Sequence, residues 1–372
     1  MAEVEAAPSM AQDPPADEPS PDAASSDDPS SSIPQSVENE DGPAPLPLTP
    51  EIIAPCLSVL ARTGNGLGIA YTKLECRGKS ITDIDLLRKF THLKFLDVSD
   101  NHIRTLTSLA PLDHLLCMDA KSNAIESVPR DLDARKYLQR CDLSRNRIRA
   151  FDVKSWPLCH YLNLNDNQLD ALRLADFPHL LHLEARGNRL ASTGGLSGAP
   201  ALQRLYLAHN HIDAVVDLDA LPRLAVLHLR ANKIARLDGF SAANACLATL
   251  NLRANQVSDA SELDKLACLP ALTRLSLGEN PLSETNEHYR LEVVFRVPNV
   301  TVLDKIDVTP DEREEAASYK EQLEAEKAEA VRLKQEQEEE EASLRKEQEE
   351  EEARVKAEAQ AVTDGGADGE TS

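Results

Sequence analysis

The phrase "LQRLYLAHNHI" at residues 202–212 is one of a set. "CHYLNLNDNQL" precedes it, and "LAVLHLRANKI", "LATLNLRANQV" and "LTRLSLGENPL" follow at nearly constant intervals. Aligning LxxLxLxxN on its asparagine brings Asn101, Asn123, Asn146, Asn167, Asn188, Asn210, Asn232, Asn255 and Asn280 into register, at spacings of 21 to 25 residues. An earlier unit, "KLECRGKSI", has Lys79 at the asparagine position. A period of this length means one small structural unit stacked on copies of itself, because no single unit can bury its apolar face alone.

The pattern assigns each position a task. Alternating apolar residues in LxxLxL describe a short strand with one face inward; Leu205, Leu207 and Ile212 are examples of core positions. Parallel strands from successive units line a concave face, and the asparagines bond the backbone of neighbouring turns. Period and pattern are those of leucine-rich repeats. The predicted fold is an α/β solenoid, an arc of about ten repeats with N- and C-terminal caps, a long acidic C-terminal helix and a disordered N-terminus.

This assignment disposes of residues that look reactive. Cys159 stands where other repeats have Leu138, Leu180, Leu202 and Leu224, so it is a core residue. Cys141 and Cys76 also occupy apolar slots, where a thiol behaves as a small hydrophobe. Asn167 belongs to the ladder, Tyr161, Asn163 and Asn165 project from the concave face, and Asp166 sits at the strand exit. His160, His209 and His211 fall on strand flanks or loops and read as surface residues. No P-loop, nucleophile elbow or HExxH motif is present, and no cysteine pair has metal spacing, so neither catalysis nor a cofactor or small-molecule substrate is expected.

Charge is unevenly placed. The chain carries −23 in total, but residues 1–61 hold twelve acids and no base, and residues 311–360 hold nineteen acids against nine bases. Residues 361–372 add three acids, which leaves residues 62–310 near +2. That middle lacks the concentrated basic footprint nucleic acid requires. No run of eighteen apolar residues exists to span a membrane, and the N-terminus lacks the basic start and apolar core of a secretory signal. The odd count of seven cysteines, with no such signal, points to reduced thiols in an intracellular protein.

Composition divides the chain further. Residues 1–48 are acidic, rich in Pro and Ser, and expected to be disordered. Residues 49–73 form an N-terminal cap, in which "EIIAPCLSVLAR" (51–62) is expected as an amphipathic helix entered through Thr49 and Pro50. Repeats occupy 74–282 and a C-terminal cap 283–309, with a helix at Tyr289–Val297 followed by extended chain. Residues 311–360 contain no Gly or Pro and suit one charged helix of about 75 Å at 1.5 Å per residue, over 310–360. Leu323, Val331, Leu333, Leu344 and Val355 keep no heptad register, which favours a solvated single helix over a coiled coil. Residues 361–372 are expected to fray.

Concave positions read out in two zones. Asp97, Asp119 and Asp142 form an acidic column in the early repeats. Later repeats present Tyr161, His182, Arg186, Arg204, Tyr206, His228, Arg230, Arg253 and Arg274 as candidate partner-binding residues. Arginine recognises carboxylates bidentately and tyrosine is an amphipathic anchor, so an acidic helix or tail of a partner protein is the expected occupant.

The segment "LSVLARTGNGLGIAYTKLECRGKSITDIDLLRKF", with "LYLAHN", "LHLRANKI" and "LNLRANQV" downstream, resembles the leucine-rich repeat-containing protein 23 family. The cap residues Asn280-Pro281-Leu282, Tyr289-Arg290, Val294, Pro298 and Leu303-Asp304 resemble the C-terminal cap of many intracellular leucine-rich-repeat arrays, while Thr63–Leu67, Ala70-Tyr71, Lys73-Leu74-Glu75 and Thr82-Asp83-Ile84 carry the family resemblance. It covers roughly residues 44–330. The resemblance implies a non-enzymatic scaffold of the ciliary or flagellar axoneme, a radial-spoke component whose partners are other radial-spoke or axonemal proteins. Two other readings remain: a regulatory adaptor of a phosphatase or kinase, and a nuclear adaptor resembling the leucine-rich-repeat subunit of the spliceosome.

Overall fold

The computed structural model describes residues 46–63 and 66–364. Expectations for the tails at 1–45 and 365–372 lie outside the described residues. After a one-turn helix, α1 (Pro50–Ile53), the chain enters strands β1 (Leu57–Arg62) and β2 (Ile69–Glu75). Nine three-residue strands follow: β3 (Phe95–Asp97), β4 (Cys117–Asp119), β5 (Arg140–Asp142), β6 (Tyr161–Asn163), β7 (His182–Glu184), β8 (Arg204–Tyr206), β9 (Val226–His228), β10 (Thr249–Asn251) and β11 (Arg274–Ser276). Helices α2 (Pro281–Thr285) and α3 (Tyr289–Arg296), strands β12 (Val302–Leu303) and β13 (Ile306–Asp307), and helix α4 (Pro310–Asp364) complete the order. All thirteen strands form one open sheet in chain order. It is parallel from β2 to β12 and antiparallel at both ends, β1 with β2 and β12 with β13.

The asparagine ladder is continuous. Asn188 Nδ2 donates to Leu164 O of the preceding repeat at 2.9 Å and to Ala185 O of its own, while its Oδ1 accepts from Leu169 N at 3.0 Å. The other eight asparagines repeat this, ending with Asn280, which bonds Leu252 O and Val257 N. Where Lys79 replaces the asparagine, Asn101 Oδ1 accepts from both Lys79 N and Ile81 N. Each residue just before a ladder asparagine is left-handed, with φ from 53° to 67° between Asp100 and Glu279. Only Gly187 among them is a glycine. The reward for this strain is a backbone bond to the next repeat, as in Asp166 N to Arg186 O at 2.7 Å and Gly187 N to Ala208 O at 3.0 Å.

Apolar slots fill as the pattern requires. Leu205, Leu207, Ile212, Cys76, Cys141 and Cys159 are completely buried, and burial pushes the Cys159 thiol up to about 12. Behind the sheet, Phe151, Trp156 and Phe177 form an aromatic cluster with Phe151 edge-on to Trp156 at 5.6 Å. Packing there is close enough that a Cβ on Gly239 would lie 2.0 Å from Val215 O.

The N-terminal cap differs from expectation. Only Pro50–Ile53 is α-helical; a 3-10 turn covers Ala54–Cys56 and residues 57–62 are strand β1. Pro55 has no N–H to continue the helix, and the exposed edge of β2 offers the next segment backbone partners instead. Thr49 and Pro50 do stand at the helix start, although Thr49 makes no side-chain cap bond. Residues 46–48 are held rather than disordered: Leu48 N donates to Asp83 O at 2.8 Å and the Leu48 side chain is buried.

At the other end Tyr289 Oη donates to Asp304 Oδ2 at 2.7 Å, and Asp304 Oδ1 accepts from Leu277 N and Gly278 N. The base of α4 is docked on this cap. Arg290 pairs with Glu312 at 2.5 Å, Arg313 donates to Pro298 O and Val300 O, and Tyr319 packs on His288 and Phe295. Farther along, Val331, Leu333 and Leu344 are exposed, and residues 361–364 continue the helix instead of fraying.

Replacing Asn188 by alanine should orphan the Leu169 N–H and the Leu164 and Ala185 carbonyls, destabilising the array by roughly 2–4 kcal/mol. Urea denaturation of the variant checks this; an unchanged midpoint would contradict the ladder's energetic role.

Candidate interaction face

Each strand between β3 and β11 turns its middle residue inward and its first and third residues outward, so the concave face is written in register columns. Pairing aligns the first positions as Lys73, Phe95, Cys117, Arg140, Tyr161, His182, Arg204, Val226, Thr249 and Arg274. Third positions run Glu75, Asp97, Asp119, Asp142, Asn163, Glu184, Tyr206, His228, Asn251 and Ser276. Arg186, Arg230 and Arg253 lie two residues beyond their strands, in a third line.

The candidates named from sequence therefore share one face but not one cluster. Tyr161 and His182 are neighbours with rings 6.4 Å apart, and Tyr206 packs edge-on against His228 at 4.8 Å. His182 titrates below the usual histidine range because it is partly buried and Arg204 lies alongside. Arg186, Arg204, Arg230 and Arg274 have no side-chain ion pair among the described residues, and Arg230 Nε is buried without a partner. Arg253 differs: it is paired with Glu279, so its charge is already answered.

Sequence reasoning missed several members of this face. Glu184 accepts from Tyr161 Oη at 2.9 Å and from Asn165 Nδ2 at 2.7 Å, which places a carboxylate among the aromatic residues. Arg140 stacks over the Tyr161 ring at 4.0 Å, a cation–π contact. Glu75 extends the acidic column by one strand and is paired with Lys73 at 2.8 Å. The strand register marks all three, since each follows from adding one repeat to a known column.

A shallow cavity of about 230 Å³ lies over β2 to β5, lined by residues that include Phe95, Cys117, Asp119 and Arg140. The like charges of Asp97, Asp119 and Asp142 stand directly opposite one another. The Asp119 carboxyl is raised above its ordinary range by burial, and further by Asp142 and Asp97. No group of three or more His, Cys, Asp or Glu among the described residues could hold a metal ion. None of the described helices is long and apolar enough to cross a membrane.

Models described as leucine-rich repeat match residues 181–332 and 91–109. Human leucine-rich repeat-containing protein 23 is 36% identical over 286 residues, spanning 76% of this chain and 82% of that protein. The chain belongs to the leucine-rich repeat-containing protein 23 family. The Xenopus tropicalis member is 38% identical over 290 residues, 77% of this chain and 82% of its own length. The resemblance carried by the leading hairpin and the cap is thus membership, and the chain is a protein-interaction leucine-rich-repeat protein. Human U2 small nuclear ribonucleoprotein A' is also similar, at 35% identity over 136 residues, which is 36% of this chain and 53% of that protein. Among solved structures, YopM from Yersinia enterocolitica covers 57% of this chain and 44% of its own, at 27% identity and a TM-score of 0.45.

An Asp119→Asn variant keeps the acceptor for Lys121 N while removing the crowded charge. Asp119 has a folded pKa above its unfolded value, so ionisation opposes folding. The variant should be more stable than the parent at neutral pH, and the advantage should vanish as pH falls through the folded pKa toward about 4. Thermal melts across that range check the sign; a variant less stable at pH 7 would contradict it.

Proposed function

We propose that this protein is a structural component of the ciliary or flagellar axoneme, a radial-spoke scaffold that supports spoke assembly and motility by binding other axonemal proteins. The observation carrying the reading is the family match across about four-fifths of the human relative. The function is one of binding rather than catalysis. A continuous sheet face with four arginines that hold no ion pair among the described residues suits an acidic protein segment, and the core leucines point away from it. A nuclear adaptor role is favoured only by the similarity to U2 small nuclear ribonucleoprotein A', which spans about half of that protein.

Quantitative mass spectrometry of tagged protein in cytosolic, nuclear and salt-washed axonemal fractions tests the reading. Retention in the axoneme, with loss in spoke-deficient cells, is expected; recovery mainly from nuclei would replace it with the adaptor reading. Reversing charge at Arg204 and Arg274 should lower axonemal retention about tenfold or more while leaving the melting temperature nearly unchanged, because neither holds an ion pair among the described residues. Arg230 and Arg253 are left out of that set because reversal at either would oppose Glu279.

A further inference from the structure

The aspartates of β3, β4 and β5 do a job that does not require charge. Asp97, Asp119 and Asp142 each accept the backbone N–H two residues on, at 3.0, 3.1 and 3.0 Å. Asn163 and Asn251 occupy the same column and make the same bond to Asn165 N and Arg253 N, at 3.0 and 3.1 Å. A neutral amide would therefore satisfy the turn. Three carboxylates directly opposite one another on adjacent strands repel, which costs stability in the free protein. Lys121 answers Asp119 only at 3.7 Å.

The same face carries the opposite excess farther along. Arg204, Arg230 and Arg274 hold no ion pair among the described residues, and the one neutralised member, Arg253, lies among them. From β6 to β9 runs an aromatic band of Tyr161, His182, Tyr206 and His228, which starts beside the acidic column and reaches into the cationic zone, Tyr206 sharing β8 with Arg204. Such rings form the desolvated centre of many interfaces, with charge at the rim. The strands' own N–H and C=O groups are engaged with their neighbours, so an occupant of this face meets side chains rather than a free sheet edge. A helix, whose backbone is internally satisfied, suits such a surface.

We infer that the concave face holds a helical segment of a protein partner whose charge reverses along its length, with cationic residues over Asp97, Asp119 and Asp142, an apolar middle over the aromatic band and anionic residues over Arg204, Arg230 and Arg274. This rests on the interaction-scaffold reading and adds polarity to it. From β4 to β9 is five strand spacings, about 24 Å. The partner's charge centres are accordingly separated by about 16 helical residues. The two zones fix the direction in which the partner lies, and either zone alone would leave it free to slide or invert.

The test uses the full chain and labelled synthetic helices of roughly 30 residues, read by fluorescence anisotropy. One helix has a lysine block, an apolar middle and a glutamate block. A second has the same composition with the charges mixed, and a third has glutamate in both blocks. The block helix should bind about tenfold tighter than the mixed one, and the preference should weaken with salt. In the variant carrying Asp97→Asn, Asp119→Asn and Asp142→Asn the preference should collapse while the fold is retained, since the turn bonds survive. Equal affinity for block and mixed helices, tighter or equal binding of the all-glutamate helix, or binding of none of the three would each overturn the inference. Those results would leave axonemal retention to be decided by fractionation, so the two readings fail separately.

Discussion

An asparagine side chain carries both a donor group and an acceptor, and in this array each ladder asparagine uses both to tie one turn to the one before. Nδ2 spans two carbonyls from adjacent repeats while Oδ1 receives the preceding turn's N–H. These groups are buried, where an unmet backbone donor or acceptor is expensive. The ladder therefore lets a tight turn sit inside the protein without solvent. It also absorbs the strain of the left-handed residue that precedes each asparagine. Without the ladder, three-residue strands would have too few bonds of their own to stay in register.

That arrangement separates folding from recognition. Core leucines and the ladder lie on the inner side of each strand, and the first and third strand positions are relieved of both duties. Their chemistry can vary from Asp to Tyr to Arg with no change in backbone path. The two ends obey a different rule. There the sheet is closed by hairpins, and at the C-terminal end Tyr289, Asp304, Arg290 and Glu312 join the last repeat to the start of the long helix. Partial burial beside Asp304 pushes the Tyr289 hydroxyl well above the ordinary tyrosine range, keeping it a donor.

Features that recur every repeat were legible in the sequence. The asparagine frame, the core placing of Cys76, Cys141 and Cys159, and the parallel sheet all follow from one pattern read many times. Features that occur once were harder. The segment Leu57–Arg62 became a strand because an unpaired sheet edge lay beside it and Pro55 interrupted the helix, and neither influence is local to an amphipathic pattern. The left-handed residues were hidden because Arg145, Ala231, Ala254 and Glu279 are not the residue types that usually announce such a backbone. The candidate face was half legible. Register columns could be counted, but the pairing of Arg253 with Glu279 and the bridging of Tyr161 and Asn165 by Glu184 depend on side chains brought together across repeats.

The single tryptophan has a consequence of its own. Trp156 is fully buried behind the middle of the array, donates its indole N–H to Leu132 O at 2.8 Å, and lies against Phe151 and Phe177. Its emission thus reports on the central repeats and on no other part of the chain. Loosening at either cap would pass unseen in that signal, whereas parting of the repeats around Asn146 and Asn167 would move it toward the red. The molecule carries an internal optical gauge that distinguishes fraying from rupture.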